Sequence, residues 1–267
     1  MPSMTHKALH AASVQAMLWD EAISMAVAQA VEPTKSHSFY QLAKPASILL
    51  LDHDSDNIAE SMRHLLASLD ASQTPAIETM FPTPLPADAG LKAFGFVRSA
   101  GQTIRAMAPL RDTTEESPCQ PGLRVCRVLS LDDAEWADRL RIEAILFGYP
   151  PTGYVDRLRV ALAQMFSRDV HWLAYDDNAV VGYMTLRYTR GVAYLQGAGV
   201  LATHRRRGLT RHLLSLAILD AMDKKYTTMV TTGCDAPAEA TWTALGFTQV
   251  VGTLESYSRP PSASVSA

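Results

Sequence analysis

The segment Leu195–Leu214 constrains the fold most, because it joins a strand, a basic loop and a helix within one short stretch. The strand ends in small residues, and leucines recur at helical spacing from Leu209 onward. Arg205–Arg207 and a single glycine, Gly208, lie between the strand and the helix. The first N–H groups of a helix are free to donate, and the helix dipole favours an anion there. With glycine allowing close approach and arginines supplying countercharge, the segment predicts a pyrophosphate-binding site.

Two common phosphate-binding loops are excluded by residue type. A Walker loop ends in Gly-Lys-Ser/Thr, whereas Gly208 is followed by Leu209 and Thr210. A Rossmann fingerprint needs three spaced glycines and a downstream acidic residue, and this segment lacks that pattern. The predicted anion site is therefore of another kind.

The residues around this segment predict alternating strands and helices. Asp132 and Asp133 offer an N-cap, residues 147–154 (FGYPPTGY) are typical of a loop, and residues 176–178 suggest a hairpin turn. Helices are expected over 134–147, 155–166, 209–225 and 237–245, and strands over 123–131, 170–175, 179–188, 192–202, 227–232 and 249–258. This order predicts a mixed α/β domain with a mostly antiparallel sheet.

Composition excludes several classes of protein. The 267 residues are 48% hydrophobic and 19% charged, which suffices for one large domain or two small ones. No apolar run reaches the roughly 18 residues of a membrane helix, and no secretory h-region follows the N-terminus. Three cysteines without C-x-x-C spacing (Cys119, Cys126 and Cys234) argue against a disulfide framework or zinc site and favour the cytoplasm.

Charge differs between the two halves. Residues 1–122 hold 8 Lys/Arg against 13 Asp/Glu, and residues 123–267 hold 16 against 14. Neither half carries the basic surplus of a nucleic-acid binder. The proline-rich stretch 109–122 marks a linker, so we expect a first domain over 1–110, a linker at 111–122, a catalytic domain over 123–259 and a flexible tail at 260–267.

Two short segments of the first domain resemble segments of the second. Residues 93–96 (AFGF) match residues 244–247 (ALGF) at an offset of 151, and residues 63–66 (RHLL) match residues 211–214 at an offset of 148. A duplicated domain with a small indel explains both matches, and an unrelated helical cap built around residues 9–31 is the alternative. In a duplicate, the positions that match Arg205–Thr210 are 54–59 or 57–62, which contain no glycine. We therefore expect no cofactor site in the first half.

Residues 123–259 resemble the GNAT superfamily of N-acetyltransferases, whose acetyl-CoA motif is R/Q-x-x-G-x-G/A. Arg205 and Gly208 match this motif, Thr210 departs from its last position, and Gly246-Phe247 resembles the closing Gly-Phe of the family. The resemblance implies a GNAT-type α/β fold in which helices flank a mixed, mostly antiparallel sheet. It also implies acetyl-CoA binding by Ala198, Gly199, Val200, Arg205, Arg206, Arg207, Gly208, Leu209 and Thr210.

The resemblance does not extend to the acid–base residues. Trp242 stands where many members have a tyrosine that protonates the leaving thiolate, and Tyr194 stands where some have a glutamate base. Asp235 replaces a frequent asparagine. Substitutes are expected at the rim of the site, with Tyr194 as a catalytic candidate and Tyr149, Tyr154 and Gln196 as substrate-binding candidates, beside Glu143.

The expected function is transfer of an acetyl group from acetyl-CoA to a primary amine of a small molecule. Direct attack in a ternary complex is favoured over an acyl-enzyme, because no activated nucleophile is visible. A catalytically silent acyl-CoA sensor is the alternative, and acetylation of a peptide lysine is a weaker enzymatic variant. An internal duplication often replaces a dimer, so we expect a monomer with an intramolecular pseudo-dimer. The identity of the amine and the length of the acyl chain stay open.

Overall fold

The structure is a computed structural model. It describes residues 34–36, 39–43, 47–50, 63, 67, 76–79, 88–112, 121–189, 191–233 and 235–259. Cys119, Cys234, most of the predicted linker, the tail and both candidate positions of a cofactor loop in the first half lie outside the described residues.

The described residues form eleven strands and five helices, apart from single turns and isolated helical residues. The strands are β1 (Thr34–Ser36), β2 (Phe39–Ala43), β3 (Ser47–Leu50), β4 (Ala76–Thr79), β5 (Val97–Met107), β6 (Leu123–Arg127), β7 (Asp169–Asp176), β8 (Ala179–Thr189), β9 (Val192–Val200), β10 (Met229–Gly233) and β11 (Gln249–Ser258). The helices are α1 (Asp88–Ala93), α2 (Ala134–Phe147), α3 (Pro151–Met165), α4 (Leu209–Asp223) and α5 (Ala236–Ala244).

All the strands join one sheet in the order β1-β2-β3-β4-β11-β5-β10-β9-β8-β7-β6. The β3–β4 and β9–β10 pairs are parallel, and the other neighbours are antiparallel. The predicted class of fold, a mixed and mostly antiparallel sheet flanked by helices, is therefore confirmed.

The sheet places β5, from the first half of the chain, between β10 and β11 of the second half. The β5–β11 register pairs Gly101 with Glu255 and Ile104 with Gly252. An ion pair of 3.3 Å between Arg105 on β5 and Glu239 on α5 adds a side-chain link. The second half of the chain therefore does not complete its own sheet without β5.

Two cores cover the faces of the sheet in the second half. On one face, α4 and α5 pack on the sheet through residues such as Leu213, Ile218 and Trp242. On the other face, α2 and α3 pack through residues such as Trp136 and Leu162. The strands between the two layers are therefore buried on both sides, and β7 has seven buried residues in a row.

The described residues contain no helix long and apolar enough to cross a membrane. Within the same ranges, no group of three or more His, Cys, Asp or Glu side chains lies close enough together to hold a metal ion.

Candidate functional site

A cleft opens in the sheet where β9 and β10 separate. The parallel ladder between these strands ends at the pair Leu195 and Thr231, although β9 continues to Val200 and β10 to Gly233. A register shift in the β8–β9 pairing leaves Gln196 as an extra residue on β9, which is a β-bulge at the point of separation. Beyond this bulge β9 remains paired with β8, and the backbone groups on its other edge face the cleft instead of β10.

The N-terminus of α4 forms one end of this cleft. Gly208 is the N-cap, with φ +77°, in the left-handed region that glycine adopts without steric cost. A Cβ added at Gly208 would meet nothing within 4 Å, so the loop is open on that side. The first backbone N–H groups of the helix have no partner within the helix itself, so this end favours an anion.

The three consecutive arginines before Gly208 point in different directions. Arg205 donates from Nε to the carbonyl oxygen of Val200 at 3.1 Å, and it lines the cleft together with Arg206. Arg207 is not among the residues that line the cleft; its Nη1 lies 3.3 Å from Oδ2 of Asp176. The structure therefore places two of the three predicted arginines at the cleft and directs the third to the β7–β8 turn.

Asp176 anchors this loop through two partners. Besides Arg207, it contacts Nε2 of His204 through Oδ2 at 3.0 Å. The hydrogen bonds from His204 and Arg207 lower the pKa of the Asp176 carboxyl below its usual value. A carboxylate at this position therefore ties the basic loop to the end of β7.

The cleft has a volume of about 740 Å³, and its lining contains most of the predicted cofactor-binding residues. Those present are Ala198, Gly199, Val200, Arg205, Arg206, Gly208, Leu209 and Thr210, and the predicted substrate-binding residue Gln196 is also there. Residues that sequence reasoning missed include Arg211, Thr231, Thr232 and Thr241. The signal for Arg211 is its position in the first turn of α4, whereas the threonines are brought to the cleft only by tertiary structure.

The predicted acid–base positions differ in where they lie. Tyr194 is 3% exposed and is not among the residues that line the cleft, because β9 directs it away from the cleft and into the interior. Trp242 does line the cleft and packs edge-to-face on Phe247, with the ring centroids 5.6 Å apart. Asp235 also lines it, but its carboxylate accepts a hydrogen bond from the backbone N–H of Ala238 at 2.7 Å. The geometry thus gives Tyr194 no direct route to a reacting group.

A buried polar cluster lies behind β9, on the side of α2. Arg139 is buried, pairs with Glu143 at 2.6 Å and lies over the ring of Tyr183 at 3.9 Å from its centroid. Glu143 also accepts a hydrogen bond of 2.9 Å from the hydroxyl of Tyr154. Burial and the neighbouring Glu143 raise the pKa of Tyr154 above its usual value.

Tyr183 of this cluster lies directly behind Gly197, a residue of β9 that lines the cleft. The hydroxyl of Tyr183 would lie only 3.0 Å from a Cβ at Gly197, which lines the cleft. Leu146 approaches Gly199 still more closely, since its Cδ1 would lie 2.7 Å from an added Cβ. Glycine at position 199 therefore lets α2 pack directly against the backbone of β9.

One family model matches the part of the chain that contains this cleft. The family model described as "Acetyltransferase (GNAT) family" matches residues 136–247. No curated protein has a sequence significantly similar to this chain.

Solved structures with the same fold include a GCN5-related N-acetyltransferase from Kribbella flavida. It has a TM-score of 0.61 and 15% identity, with 92% of this chain and 95% of that chain covered. A tandem GNAT protein from the clavulanic acid biosynthesis pathway gives 0.60 and 16%, with 82% and 76% covered. A GCN5-related N-acetyltransferase from Sphaerobacter thermophilus gives 0.58 and 14%, with 80% and 73% covered. At these identities, the likeness establishes the fold.

Proposed function

We propose that this protein transfers an acetyl group from acetyl-CoA to a primary amine of a small molecule, which is in keeping with the match of the GNAT acetyltransferase family model to residues 136–247. One observation carries the proposal. The N-terminus of α4, with Gly208 at its N-cap and Arg205 and Arg206 beside it, opens into the same cleft that separates β9 from β10. Such a cleft supplies an anion site and, next to it, a strand edge with available backbone groups.

The residues present fit an acyl-CoA substrate. The pyrophosphate would lie at the first turn of α4, against the backbone of Gly208–Thr210 and the guanidinium groups of Arg205 and Arg206. The pantetheine would run along residues 196–200 of β9, where hydrogen bonds to backbone amides are possible beyond the bulge. The side chain of Thr210 narrows the cleft slightly compared with the glycine or alanine of the family motif, but it does not close the cleft.

The chemical step is direct acyl transfer. The neutral amine attacks the thioester carbonyl, a C–N bond forms, the C–S bond breaks, and the coenzyme leaves as a thiolate while the amine nitrogen loses a proton. A thiol has a pKa of about 8.5, so its thiolate is a good leaving group that needs little protonation near neutral pH. This property offsets the presence of Trp242 where a tyrosine acid would stand.

The amine proton passes to water in the open cleft under this proposal. Among the described residues that line the cleft, the acid–base side chains other than arginine are His204 and Asp235. Both ring nitrogens of His204 are engaged, Nε2 with Oδ2 of Asp176 at 3.0 Å and Nδ1 with Oγ1 of Thr203 at 2.8 Å, and the carboxylate of Asp235 caps α5. Neither is free to serve as a dedicated general base, so the neutral fraction of the amine sets the rate, and activity rises with pH toward the pKa of the amine.

Release of free thiol from acetyl-CoA on addition of amines tests this function. Gly208→Glu places a carboxylate at the anion site, and Gly122→Glu is a matched control. Both glycines have positive φ (+77° and +86°), and neither has an atom within 4 Å of an added Cβ. We expect amine-dependent thiol release by the wild type and Gly122→Glu, with a loss of more than about tenfold in Gly208→Glu. Equal turnover by the two variants would refute the assignment of the anion site.

We also propose that the first half of the chain is a degenerate copy that carries no second cofactor site. Matching backbone hydrogen bonds at an offset of 151 support this duplication. Phe96 donates to the carbonyl of Leu91 at 3.1 Å, and Phe247 donates to that of Trp242 at 3.0 Å. Both phenylalanines are fully buried, and each follows a glycine with positive φ.

The strand register supports the same proposal. The pairs Gly101–Glu255 and Ile104–Gly252 exchange places when 151 is added to one number and subtracted from the other. The β5–β10 pair and the β11–β4 pair are both antiparallel, and the same exchange relates them with a shift of two residues: it maps the pair Met107–Met229 onto 258 and 78, whereas Glu78 pairs with Ser256. A copy of this kind would make the chain an intramolecular pseudo-dimer, which is consistent with a monomer.

A further inference from the structure

Three aromatic side chains around the junction of α2 and α3 form what we call the aromatic rim: Phe147 at the end of α2, Tyr149 in the loop and Tyr154 near the start of α3. Tyr149 stacks on Tyr154 with ring centroids 4.2 Å apart, and the centroids of Phe147 and Tyr149 are 6.3 Å apart. Phe147 and Tyr149 are nevertheless 50% and 48% exposed. Because these rings are neighbours, their uncovered surfaces form one contiguous apolar patch, and contiguous apolar patches are typical of ligand-binding grooves.

The aromatic rim is continuous with the cleft. Phe147 and its neighbour Leu146 line the cleft beside Gly199 and Val200 of β9. The proposed thioester lies along this part of β9, so an amine that reaches the thioester from the side of α2 passes the rim. The exposed rings therefore lie where the body of an acceptor molecule would rest.

The rim is held in place from behind by a neutral polar pair. The hydroxyl of Tyr154 donates to Glu143 at 2.9 Å, and Arg139 pairs with the same carboxylate at 2.6 Å. Because the guanidinium neutralises the carboxylate, Glu143 offers little net attraction to a cation. Its role here is to fix the ring of Tyr154, on which Tyr149 stacks.

The charge of the described cleft lining is basic. Asp235 is the acidic residue among the described residues that line it, and its carboxylate already caps α5. His204, Arg205, Arg206 and Arg211 line the same cleft. When acetyl-CoA is bound, its pyrophosphate offsets the charge of these arginines, so the described lining offers no free carboxylate to hold a polycationic acceptor, whereas an amine with one charge and an apolar body needs none.

We infer from the aromatic rim and from the charges of the cleft lining that the acceptor is a monoamine with an aromatic ring. This inference rests on the proposed function. The ring would stack on Phe147 and Tyr149, in the offset or edge-to-face geometry that aromatic pairs prefer. The amine would then point along β9 toward the thioester.

A panel of four amines tests this inference: 2-phenylethylamine, n-hexylamine, spermidine and kanamycin. We expect kcat/KM for 2-phenylethylamine to exceed that for each of the others by at least about tenfold. Phe147→Ala should raise the KM for 2-phenylethylamine roughly tenfold and leave the KM for acetyl-CoA unchanged. Val160→Ala is the matched control, because Val160 is 47% exposed on α3 and lies outside both the rim and the cleft lining.

Each outcome separates the inference from the proposed function. Preference for spermidine or kanamycin, or equal use of n-hexylamine, overturns the inference while the acetyltransferase stands. If no amine is acetylated, equilibrium dialysis in the presence of CoA measures whether 2-phenylethylamine still binds to the protein. Binding that Phe147→Ala weakens, without thiol release from any amine, supports the aromatic site and overturns acetyl transfer. Absence of both binding and turnover overturns the two proposals together.

Discussion

The three consecutive arginines of the basic loop should contribute unequally to acetyl-CoA binding. Arg205 and Arg206 line the cleft, whereas Arg207 is directed to Asp176. A hydrogen bond to a charged group contributes about 1.5–3 kcal/mol, and solvent screening of these exposed side chains favours the lower end. Removing either guanidinium should therefore cost about 1.5 kcal/mol, which corresponds to roughly a tenfold higher Kd for acetyl-CoA.

Arg207→Ala supplies the comparison within the same loop. The Arg207 and Asp176 side chains are 37% and 35% exposed, and exposed ion pairs contribute little, so we expect less than about a twofold change in Kd. Calorimetric titration with acetyl-CoA at two salt concentrations measures all three alanine variants. A Kd raised as much by Arg207→Ala as by Arg205→Ala would refute this division of roles, and so would a loss of affinity that salt leaves unchanged.

Two further predictions concern stability. Burial, with a contribution from Arg139, lowers the pKa of His171 well below 6.5. The unfolded chain therefore binds the extra proton below pH 6.5, and the unfolding free energy should fall by up to about 1.4 kcal/mol per pH unit down to the folded pKa. Urea denaturation should show this slope flattened in His171→Gln, and equal slopes would contradict it. A fragment of residues 121–267, which lacks β5, should fail to give a cooperative unfolding transition, and a folded fragment that binds acetyl-CoA would contradict this.

Local patterns predicted the elements of the second half closely. The structure has α2 at Ala134–Phe147 and β11 at Gln249–Ser258, the bounds expected from periodicity and flanking residues. The N-cap chemistry differs, since the carboxylate of Asp133 accepts from the N–H groups of Leu129 and Ser130 instead of capping α2. The carboxylate satisfies the turn before the helix, which is an alternative open to any Asp at this position.

The boundaries of other elements shifted where residue type was ambiguous. The predicted loop over residues 147–154 is shorter, because α3 begins at Pro151, although Thr152 and Gly153 keep non-helical dihedral angles. Proline is favourable in the first turn of a helix, so α3 begins at Pro151 instead of at residue 155, where the sequence pattern placed its start. Strand β10 begins at Met229 instead of residue 227.

Long-range features could not be predicted from the sequence. The insertion of β5 between β10 and β11 depends on pairing between residues roughly 120 to 160 positions apart, which no local pattern encodes. The same is true of the different directions of Arg205 and Arg207, since Asp176 lies on a separate turn. The sequence located the cleft through Gly208 and its arginines, but the opposite wall of threonines on β10 and α5 emerged only in three dimensions.

Calorimetric titration of the full-length protein with acetyl-CoA tests most directly whether this cleft is an acyl-CoA site. We predict one binding site per chain, because the positions that match the basic loop in the first half contain no glycine. Gly208→Glu should abolish the binding heat, and Gly122→Glu should retain it. A stoichiometry of two, or binding that Gly208→Glu leaves intact, would contradict the assignment of the site to the N-terminus of α4.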